Sequence, residues 1–567
     1  MKKFIYPTLT IIAVLLGFFL GSTSAHKAEA QQYSLRNFFT PQSKIDQMLQ
    51  YMQQGYVEPL DLDSITEEVM QELVQKLDPH SAYIPKKDLE MVNSELSASF
   101  SGIGVQFNIQ QDTVCIVAVI PGGPSEGVGV LAGDKIVMVD DSLFAYKGIN
   151  NEKVMHTLRG PKGTEVKLGI KRFGTDELLS YTIVRGDIPV HAVDAAFMAD
   201  TQTGFIKVNK FSETTYSEFM SALAKLRTQG AQGYIVDLRE NSGGYMDQAI
   251  KMANEFLQEG DMIVYAEGRA YPRYEARANG KGRFLQNPLI VLIDDFSASA
   301  SEIFAGAMQD NDRATIIGRR SFGKGLVQQQ LPFSDGSAMR LTVARYYTPS
   351  GRCIQKPYTL GQQEDYQKEI LDRFEHGEFY SADSVHINDS TAYYTKKGRV
   401  VHGGGGIMPD IFIGRDTTLL TPFYNKCVNL AYTYQFAYRY TDTHRKELQK
   451  FKKWQDLEDY LNKKDVLQDF LKFASDKGVN AQDTTLTKTT SLSVAKQIQK
   501  SRPLLKRLIN AYIVRNILGD EGFYPLFERD DEITRSAIEE MNKKYESPDF
   551  RRDIHADIIH GAIEKRK

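Results

Sequence analysis

The sequence is poor in cysteine and has almost no net charge, and each of these absences excludes a class of protein. Its three cysteines, Cys115, Cys353 and Cys427, are widely spaced and odd in number, which argues against both a metal site and a disulfide framework. The 69 basic residues nearly balance the 72 acidic ones, and the net charge is −3. That balance gives no reason to expect a nucleic-acid partner.

Histidine is missing from the whole stretch between Ala192 and Glu375. A nucleophile in this stretch would therefore have no histidine base nearby in the sequence, although His191 or His402 could fold back to supply one. His80 follows an Asp-Pro pair, and we interpret it as a capping or core histidine. Acyl transfer carried out within this stretch alone needs a different base.

The N-terminus has the composition of an export signal. Lys2 and Lys3 precede an apolar stretch that ends near Leu20, and small residues around Ala25 and Ala30 follow as candidate cleavage sites. The stretch is also about as long as a minimal membrane span, so an uncleaved anchor is the alternative. No cysteine lies near it, which argues against a lipoprotein. We expect residues 1–30 to be a signal peptide or anchor, and the rest to work in the periplasm or cell envelope.

The 567 residues correspond to roughly three to five domains, and the pattern along the chain predicts a multidomain α+β protein. Residues 31–95 carry apolar residues at helical spacing, and residues 96–186 read as short strands broken by turns. Strands alternate with helices over residues 187–415, which predicts an α/β core with a largely parallel sheet. A polar insertion at 356–398 interrupts this core, and residues 416–567 have a helical pattern.

A serine-rich segment follows one predicted core strand. The apolar run Leu289–Ile293 predicts a buried strand, and Ser299 then stands where a helix must begin. A hydroxyl there lies near the positive end of the helix dipole. Lys324 follows 25 residues later between two glycines. A serine nucleophile with a lysine base is one way to perform acyl transfer without histidine.

Lys324 needs a special environment to act as a base. A free lysine has a pKa near 10.4, so burial must lower it by roughly three units, which corresponds to about 4 kcal/mol. Phe322 and Leu326 supply apolar neighbours, and the flanking glycines let the backbone pack closely. Gln328, four residues on, is placed to hydrogen-bond the amine and orient it.

Negative charge that develops on a substrate oxygen needs backbone N–H donors. Ala300, directly after the serine, is one candidate, and Gly243 or Gly244 is the other. Asp237, Arg239 and Glu302 are charged residues at strand or helix ends near the same predicted site. We favour structural ion pairs over direct chemistry for these three.

Several segments together resemble the carboxyl-terminal processing proteases, also called tail-specific proteases. SASASEI and FGKGLVQ are similar to the active-site signature of that family, and DLRENSGG is similar to its oxyanion motif. The resemblance also includes LDPHSAYI, FSGIGVQF, LRGPKGT, YYTPSGRCIQ and GGGGIMPDI, and it covers roughly residues 40–415. It implies Ser299 as nucleophile, Lys324 as base and Gln328 as its orienting partner. It also implies a core like those of crotonases and ClpP, with no metal or organic cofactor.

Residues 96–186 resemble a PDZ domain inserted before the core. The resemblance implies that Gly102, Ile103, Gly104 and Val105 form the loop that grips a substrate's terminal carboxylate. An extended peptide would add to the strand that begins near Val105. Arg159, in LRGPKGT, matches a position that helps to couple this domain to the protease core. The expected partners are proteins or peptides with free C-termini.

The leading hypothesis is an exported serine endopeptidase that binds protein C-termini and cleaves through an acyl-enzyme. One alternative is a non-catalytic PDZ scaffold on a degenerate hydrolase core. Another is a crotonase-like enzyme that acts on acyl thioesters. The helical ends suggest self-association, with a homodimer as the hypothesis.

Overall fold

The computed structural model describes residues 43–547, apart from 95, 98, 111, 121, 132, 173–174, 387–388 and 489. The predicted export signal lies outside these residues. Within the described part, the helices include none with the length and apolar content of a membrane span. The described residues up to Leu73 form one compact unit, and those from Val74 onward form another.

The N-terminal region is mostly helical, as predicted, but it also contains a short strand. Its elements are α1 (Lys44–Gly55), α2 (Leu62–Gln75), β1 (Ala82–Ile84) and α3 (Lys86–Ser94). Helix α1 begins at a capping box formed by Ser43 and Asp46. Asp78 and Pro79 end the helical pattern, and the Asp78 carboxylate accepts hydrogen bonds from the backbone N–H groups of the turn that follows. Strand β1 comes after this turn and pairs antiparallel with residues 338–340.

The predicted PDZ segment folds as a β-unit with two helices. Its elements are β2 (Ser99–Gly102), β3 (Val105–Gln110), β4 (Thr113–Val119), α4 (Pro124–Gly127), β5 (Lys135–Val139), β6 (Ser142–Leu143), α5 (Asn151–Leu158), β7 (Glu165–Lys171), β8 (Leu179–Val184) and β9 (Gly186–Pro189). The main sheet runs β3-β4-β5-β7-β8, and β2 pairs with β9. Strand β3 is therefore at the edge of its sheet.

The core alternates strands and helices. Its elements are β10 (Val193–Met198), β11 (Thr203–Val208), α6 (Thr215–Thr228), β12 (Gly233–Asp237), α7 (Met246–Asn254), β13 (Met262–Glu267), β14 (Tyr274–Arg277), β15 (Leu289–Ile293), α8 (Ala300–Asp310), β16 (Thr315–Gly318), β17 (Leu326–Pro332), β18 (Ala338–Tyr347), α9 (Gln363–Glu375), β19 (Tyr393–Tyr394), β20 (Val400–Val401) and β21 (Ile411–Phe412). Helix α9 and strand β19 lie in the polar insertion, which is therefore structured.

The main core sheet has the order β10-β11-β12-β15-β16-β21. It is parallel from β11 to β21, and β10 is antiparallel, as the strand–helix alternation predicts. Every residue of β12 and β15 is buried, because such a sheet is covered on both faces. A second sheet has the order β1-β18-β13-β14, with β17 paired to β18.

The C-terminal region is helical, as predicted. Its helices are α10 (Pro422–Asn429), α11 (Tyr432–Leu448), α12 (Trp454–Lys463), α13 (Val466–Asp476), α14 (Val494–Leu518), α15 (Asp520–Glu528) and α16 (Glu532–Glu546). The region has its own apolar core, which includes Phe470 and Leu526. Helix α16 packs Ile533, Ala537 and Met541 onto one face of the core sheet, whereas α6, α7 and α8 pack on the other face.

The C-terminal helices contact both the PDZ unit and the core. Tyr434 donates a 2.5 Å hydrogen bond to the carbonyl of Val117 in β4, and the ring of Tyr438 packs directly against Gly133. On the core side, Tyr524 donates to Asp194 at 2.9 Å. The C-terminal helices thus contact both the predicted PDZ segment and the core.

Candidate active site

Ser299 lies at the junction between β15 and α8, as the sequence predicts. Its backbone has φ 55° and ψ −112°, a conformation that costs a non-glycine residue on the order of 1–3 kcal/mol. The side chain is half-buried at the carboxyl end of a parallel strand, the usual place for sites in such sheets. Surrounding contacts must hold this strained turn.

The buried carboxylate of Glu302 provides one of these contacts. It accepts the backbone N–H of Ser299 at 2.8 Å and the backbone N–H of Lys324 at 2.9 Å. It also accepts from the hydroxyl of Ser321 and the N–H of Gly323. A single carboxylate therefore joins the backbones of the candidate nucleophile and the candidate base.

The prediction of an ion pair for Glu302 is not borne out, because no cation pairs with it among the described residues. Its hydrogen-bond donors are instead the backbone N–H groups of Ser299, Gly323 and Lys324 and the hydroxyl of Ser321. Burial raises the pKa of Glu302 to about 7, and the four hydrogen bonds only partly oppose that rise.

Tyr346 holds the same two residues from the other side. Its buried hydroxyl lies 2.6 Å from the carbonyl of Lys324 and 3.1 Å from that of Ser299. Glu302 therefore binds the N–H groups of both residues, and Tyr346 contacts both of their carbonyls. The sequence analysis assigned Tyr346 no role, although it begins YYTPSGRCIQ.

Lys324 is half-buried, and its amine donates to Gln328 Oε1 at 3.2 Å. The amide of Gln328 in turn donates to the carbonyl of His80 at 2.5 Å. Burial lowers the pKa of Lys324, Arg340 lowers it further, and Glu302 and Asp78 act in the opposite direction. Among the described residues, no direct hydrogen bond joins the amine to Ser299.

Gly323, one of the two glycines that flank the lysine, packs tightly against its neighbours. Gly323 has φ 89°, and a Cβ added there would lie 3.1 Å from the backbone nitrogen of Gly406. Side chains at these positions would push the lysine loop away from its neighbours. The glycines therefore bring Lys324 close to the core.

Ser299 and Lys324 line one cleft of about 460 Å³. The other residues that line it are Val92, Asn93, Leu96, Ser242, Gly243, Gly244, Tyr245, Met246, Ile303, Leu326, Val327, Gln328, Gln330, Arg340 and Tyr346. Its walls come from α3, the glycine turn after β12, α8 and the β17–β18 hairpin. Peptide-sized substrates fit a groove with this mixture of apolar and polar walls.

Histidine takes no part in this cleft within the described residues. His191 lies near Glu218 and His402 contacts the carbonyl of Thr391, so neither folds back toward Ser299. The ring of His80 contacts the hydroxyl of Tyr366. Burial, followed by the charge of Lys324, lowers the pKa of His80 to about 4.

The candidate oxyanion donors lie close together. A Cβ at Gly243 would lie 2.7 Å from the Ser299 Cβ and 2.9 Å from the Ala300 nitrogen, so only glycine permits this approach. The N–H of Gly243 donates to the side chain of Asn241 at 2.9 Å. Gly244 and Ala300 have no such bond among the described contacts.

Asp237 and Arg239 lie just before this glycine turn and form an ion pair at 2.8 Å. Arg239 also reaches Glu528 and Asp531 of the C-terminal region, each at 2.7 Å. Burial would raise the pKa of Asp237, but Arg239 and Lys207 outweigh it and bring the pKa to about 2. The C-terminal helices thus hold the turn that carries the glycines.

Arg159 lies between the PDZ unit and α3. Its guanidinium donates to Ser94 at 2.7 Å and stacks 4.2 Å from the centre of the Phe100 ring. Gly102 lies beside the same ring, with Arg159 next to it. Helix α3 also lines the catalytic cleft through Val92 and Asn93, so one helix contacts both places.

Comparison with protein families finds three matches along the chain. Residues 202–367 match peptidase family S41, and residues 101–183 match the PDZ domain. Residues 423–519 match DUF8443, a family of unknown function. The first two matches lie within the segments predicted as the core, 187–415, and the PDZ unit, 96–186.

Two curated relatives are named as carboxy-terminal processing proteases. The carboxy-terminal-processing protease of Bartonella bacilliformis is 35% identical over 353 residues, 61% of this chain and 80% of that protein. The carboxy-terminal processing protease CtpA of Bacillus subtilis is 36% identical over 330 residues, 57% of this chain and 70% of that protein. The structure of a photosystem II D1 C-terminal processing protease matches with 24% identity and a TM-score of 0.36, over 66% of this chain and 88% of the other.

Proposed function

We propose, since this chain belongs to the carboxy-terminal processing proteases of peptidase family S41, that it cleaves by a Ser299–Lys324 dyad. The classification makes it a serine-type peptidase with a PDZ domain, and neither the scaffold nor the thioester alternative is needed. The observation that carries the dyad is the amine of Lys324. It is held by Gln328 in the cleft that contains Ser299, and burial lowers its pKa.

In the proposed mechanism, the neutral amine of Lys324 takes the proton of Ser299 as Oγ attacks the scissile carbonyl carbon. The N–H of Ala300, with that of Gly244, stabilises the negative oxygen, since the N–H of Gly243 already donates to Asn241. Lys324 then gives its proton to the departing amine, and an acyl-enzyme remains. Water then attacks the ester carbonyl while Lys324 takes its proton, and Lys324 returns that proton to Ser299 Oγ as the ester C–O bond breaks and the acid product leaves.

The amine and the hydroxyl must come into contact for the first step. We propose that substrate binding closes this gap, because catalytic hydrogen bonds often shorten only in the complex. Glu302 and Tyr346 fix the backbones of both residues, so side-chain rotation is the motion that this step requires.

The test is cleavage of an unfolded protein by Ser299→Ala and Lys324→Ala variants. Each is expected to lose activity by at least about a thousand-fold. The exposed Ser217→Ala and Lys251→Ala variants serve as matched controls and should retain activity. Undiminished cleavage by either active-site variant would reject the dyad.

We also propose that the PDZ unit captures the substrate's C-terminus. Strand β3 is an edge strand that begins at Val105, and an extended peptide can pair with such an edge. Gly102 to Val105 would bind the carboxylate, and Arg159 would transmit occupancy through α3 to the cleft. A substrate with an amidated C-terminus should be cut more slowly than its free-acid counterpart, and equal rates would contradict capture.

Export and self-association are further parts of the proposal. Helix α1 exposes Ile45, Met48 and Tyr51, and such an apolar face supports a homodimer. Light scattering should give twice the monomer mass, and Met48→Asp should reduce it; a monomeric wild type would refute the dimer.

Mass spectrometry of the mature N-terminus distinguishes a cleaved signal from a retained anchor.

A further inference from the structure

Arg340 faces the catalytic cleft from strand β18. Arg340 is paired with Gln330 of β17, two positions from the pair of Thr342 with Gln328. Arg340 and Tyr346 both line the cleft, and Tyr346 contacts the backbones of Ser299 and Lys324. The hairpin therefore directs a guanidinium toward the space that the proposed substrate occupies.

This guanidinium has no carboxylate partner among the described residues. Its hydrogen bond is a long one, 3.4 Å from Nη2 to Gln330 Oε1. Gln330 is itself held by Asn93 of α3, which it contacts at 3.0 Å. An arginine carries five N–H donors in a fixed fork, so most of its capacity remains for a ligand.

Arg340 is also the fixed charge of the cleft. The charged residues that line it, within the described part of the chain, are Arg340 and Lys324. Lys324 must be neutral to act as the base, whereas arginine stays protonated. The charge of Arg340 also contributes to the lowered pKa of Lys324. The cleft therefore favours anionic groups.

We propose that Arg340 binds a carboxylate of the substrate and makes the enzyme prefer bonds near an acidic group. This inference rests on the proposed function and adds a substrate class to it. Guanidinium and carboxylate form a bidentate pair, the most favourable partner for this fork.

The register of the hairpin gives the distance from the scissile bond. Gln328, which holds the amine of Lys324, pairs with Thr342, and Gln330 pairs with Arg340. Two residues along a strand span about 7 Å. For a substrate that runs alongside this hairpin, we expect the carboxylate bound by Arg340 about two residues from the bond that is cut.

Two sources supply this chemistry, an acidic side chain and the terminal carboxylate of a short tail. Amidated peptides with Glu, Gln or Lys at successive positions on both sides of the scissile bond test the first source. Gln peptides with a free C-terminus at matched distances test the second. We expect kcat/KM to be about ten-fold higher with the carboxylate than with Gln at the best position, and lowest with Lys.

The variants assign this preference to Arg340. Arg340→Gln should bring the Glu-to-Gln ratio close to one, Arg340→Glu should favour Lys, and Arg340→Lys should retain part of the preference, which also shows that the site still folds. Arg345→Gln is the matched control, because Arg345 is an exposed arginine of the same strand that is not among the residues lining the cleft.

Two outcomes would overturn the role of Arg340. One is a wild-type enzyme that cuts Glu, Gln and Lys peptides at equal rates, and the other is an Arg340→Gln variant that keeps the wild-type ratio. Cleavage of the Gln peptide tests the proposed function separately, since that reaction does not need the carboxylate.

Discussion

The two segments that meet at Ser299 each contain a fully buried carboxylate, and the two carboxylates behave in opposite ways. Asp237 precedes the glycine turn and has a pKa of about 2, whereas Glu302 follows the serine and has a pKa of about 7. Both are completely buried, so burial alone cannot explain the difference. Asp237 contacts two cations, while Glu302 contacts N–H and O–H dipoles.

The comparison shows two ways to hold an active-site turn. Cations compensate a buried carboxylate fully and keep it charged, which fixes the glycine turn as a permanent ion network. Dipoles compensate only in part, so Glu302 titrates near neutral pH. The turn that must stay rigid and the turn that bears the proposed nucleophile are thus held by different forces.

The largest expected effect comes from removing the charge of Asp237, which holds the glycine turn. Asp237→Asn leaves the buried Lys207 and Arg239 with less compensation, and loss of one partner in such a network costs about 3–5 kcal/mol. Chemical denaturation followed by circular dichroism should show this loss. The exposed pair of Asp247 with Lys251 offers the control, because Asp247→Asn should have little effect. Equal effects of the two substitutions would contradict the comparison.

The second prediction concerns the pH dependence of stability that arises from Glu302, which holds the serine turn. The folded pKa of Glu302 lies above its unfolded value of 4.5, so the stability that its proton provides is full below pH 4.5 and is lost as the pH rises toward 7. The loss amounts to about 3 kcal/mol. Glu302→Gln cannot titrate, so the wild type's stability relative to this variant should fall by that amount over the same range. Parallel pH curves for the two proteins would refute the raised pKa.

A third prediction concerns the C-terminal helices, which contact Arg239 just before the glycine turn. Glu528→Gln removes one carboxylate from Arg239, but Asp237 and Asp531 remain, so the expected cost is about 1–3 kcal/mol. The proposed catalysis should also decrease, because the glycine turn follows Arg239. Glu521→Gln is the control, since it breaks an exposed contact between the same two regions. If the Glu528 variant is as stable and active as this control, the C-terminal helices do not support the site.

The smallest expected effect comes from Tyr346, which contacts the backbone of the serine turn. Tyr346→Phe removes the hydroxyl that contacts the carbonyls of Lys324 and Ser299, and a hydrogen bond of this kind contributes about 1 kcal/mol. Stability should fall by that amount while kcat falls more than KM changes, because the substrate-binding walls remain. A variant with unchanged kcat would show that Glu302 alone holds the two backbones.

Much of this site was predictable because its parts lie in short segments. Ser299 at the end of an apolar run, and Lys324 between glycines, are local patterns. The parallel sheet then brings the ends of neighbouring strands together, so the approach of Gly243 to Ser299 followed from strand order. The contact of Glu302 with the backbones of both Ser299 and Lys324 did not follow from the sequence. A glutamate in the first turn of a helix does not indicate which loop packs over it.

Other contacts depend on parts of the chain that are far apart. Arg239 and Glu528 are 289 positions apart and meet because α15 and α16 pack on the core. The C-terminal helices show only a helical pattern, and that pattern does not specify which surface they cover. Arg340 is likewise an ordinary strand residue until the hairpin folds over the cleft.

The amino-acid order alone determined the class of chemistry, that of a serine-type peptidase, because the motifs that identify the family lie in short segments of the chain. Which pKa values shift, and in which direction, was decided only by the folded chain, because burial and charge neighbours depend on segments that the sequence keeps apart.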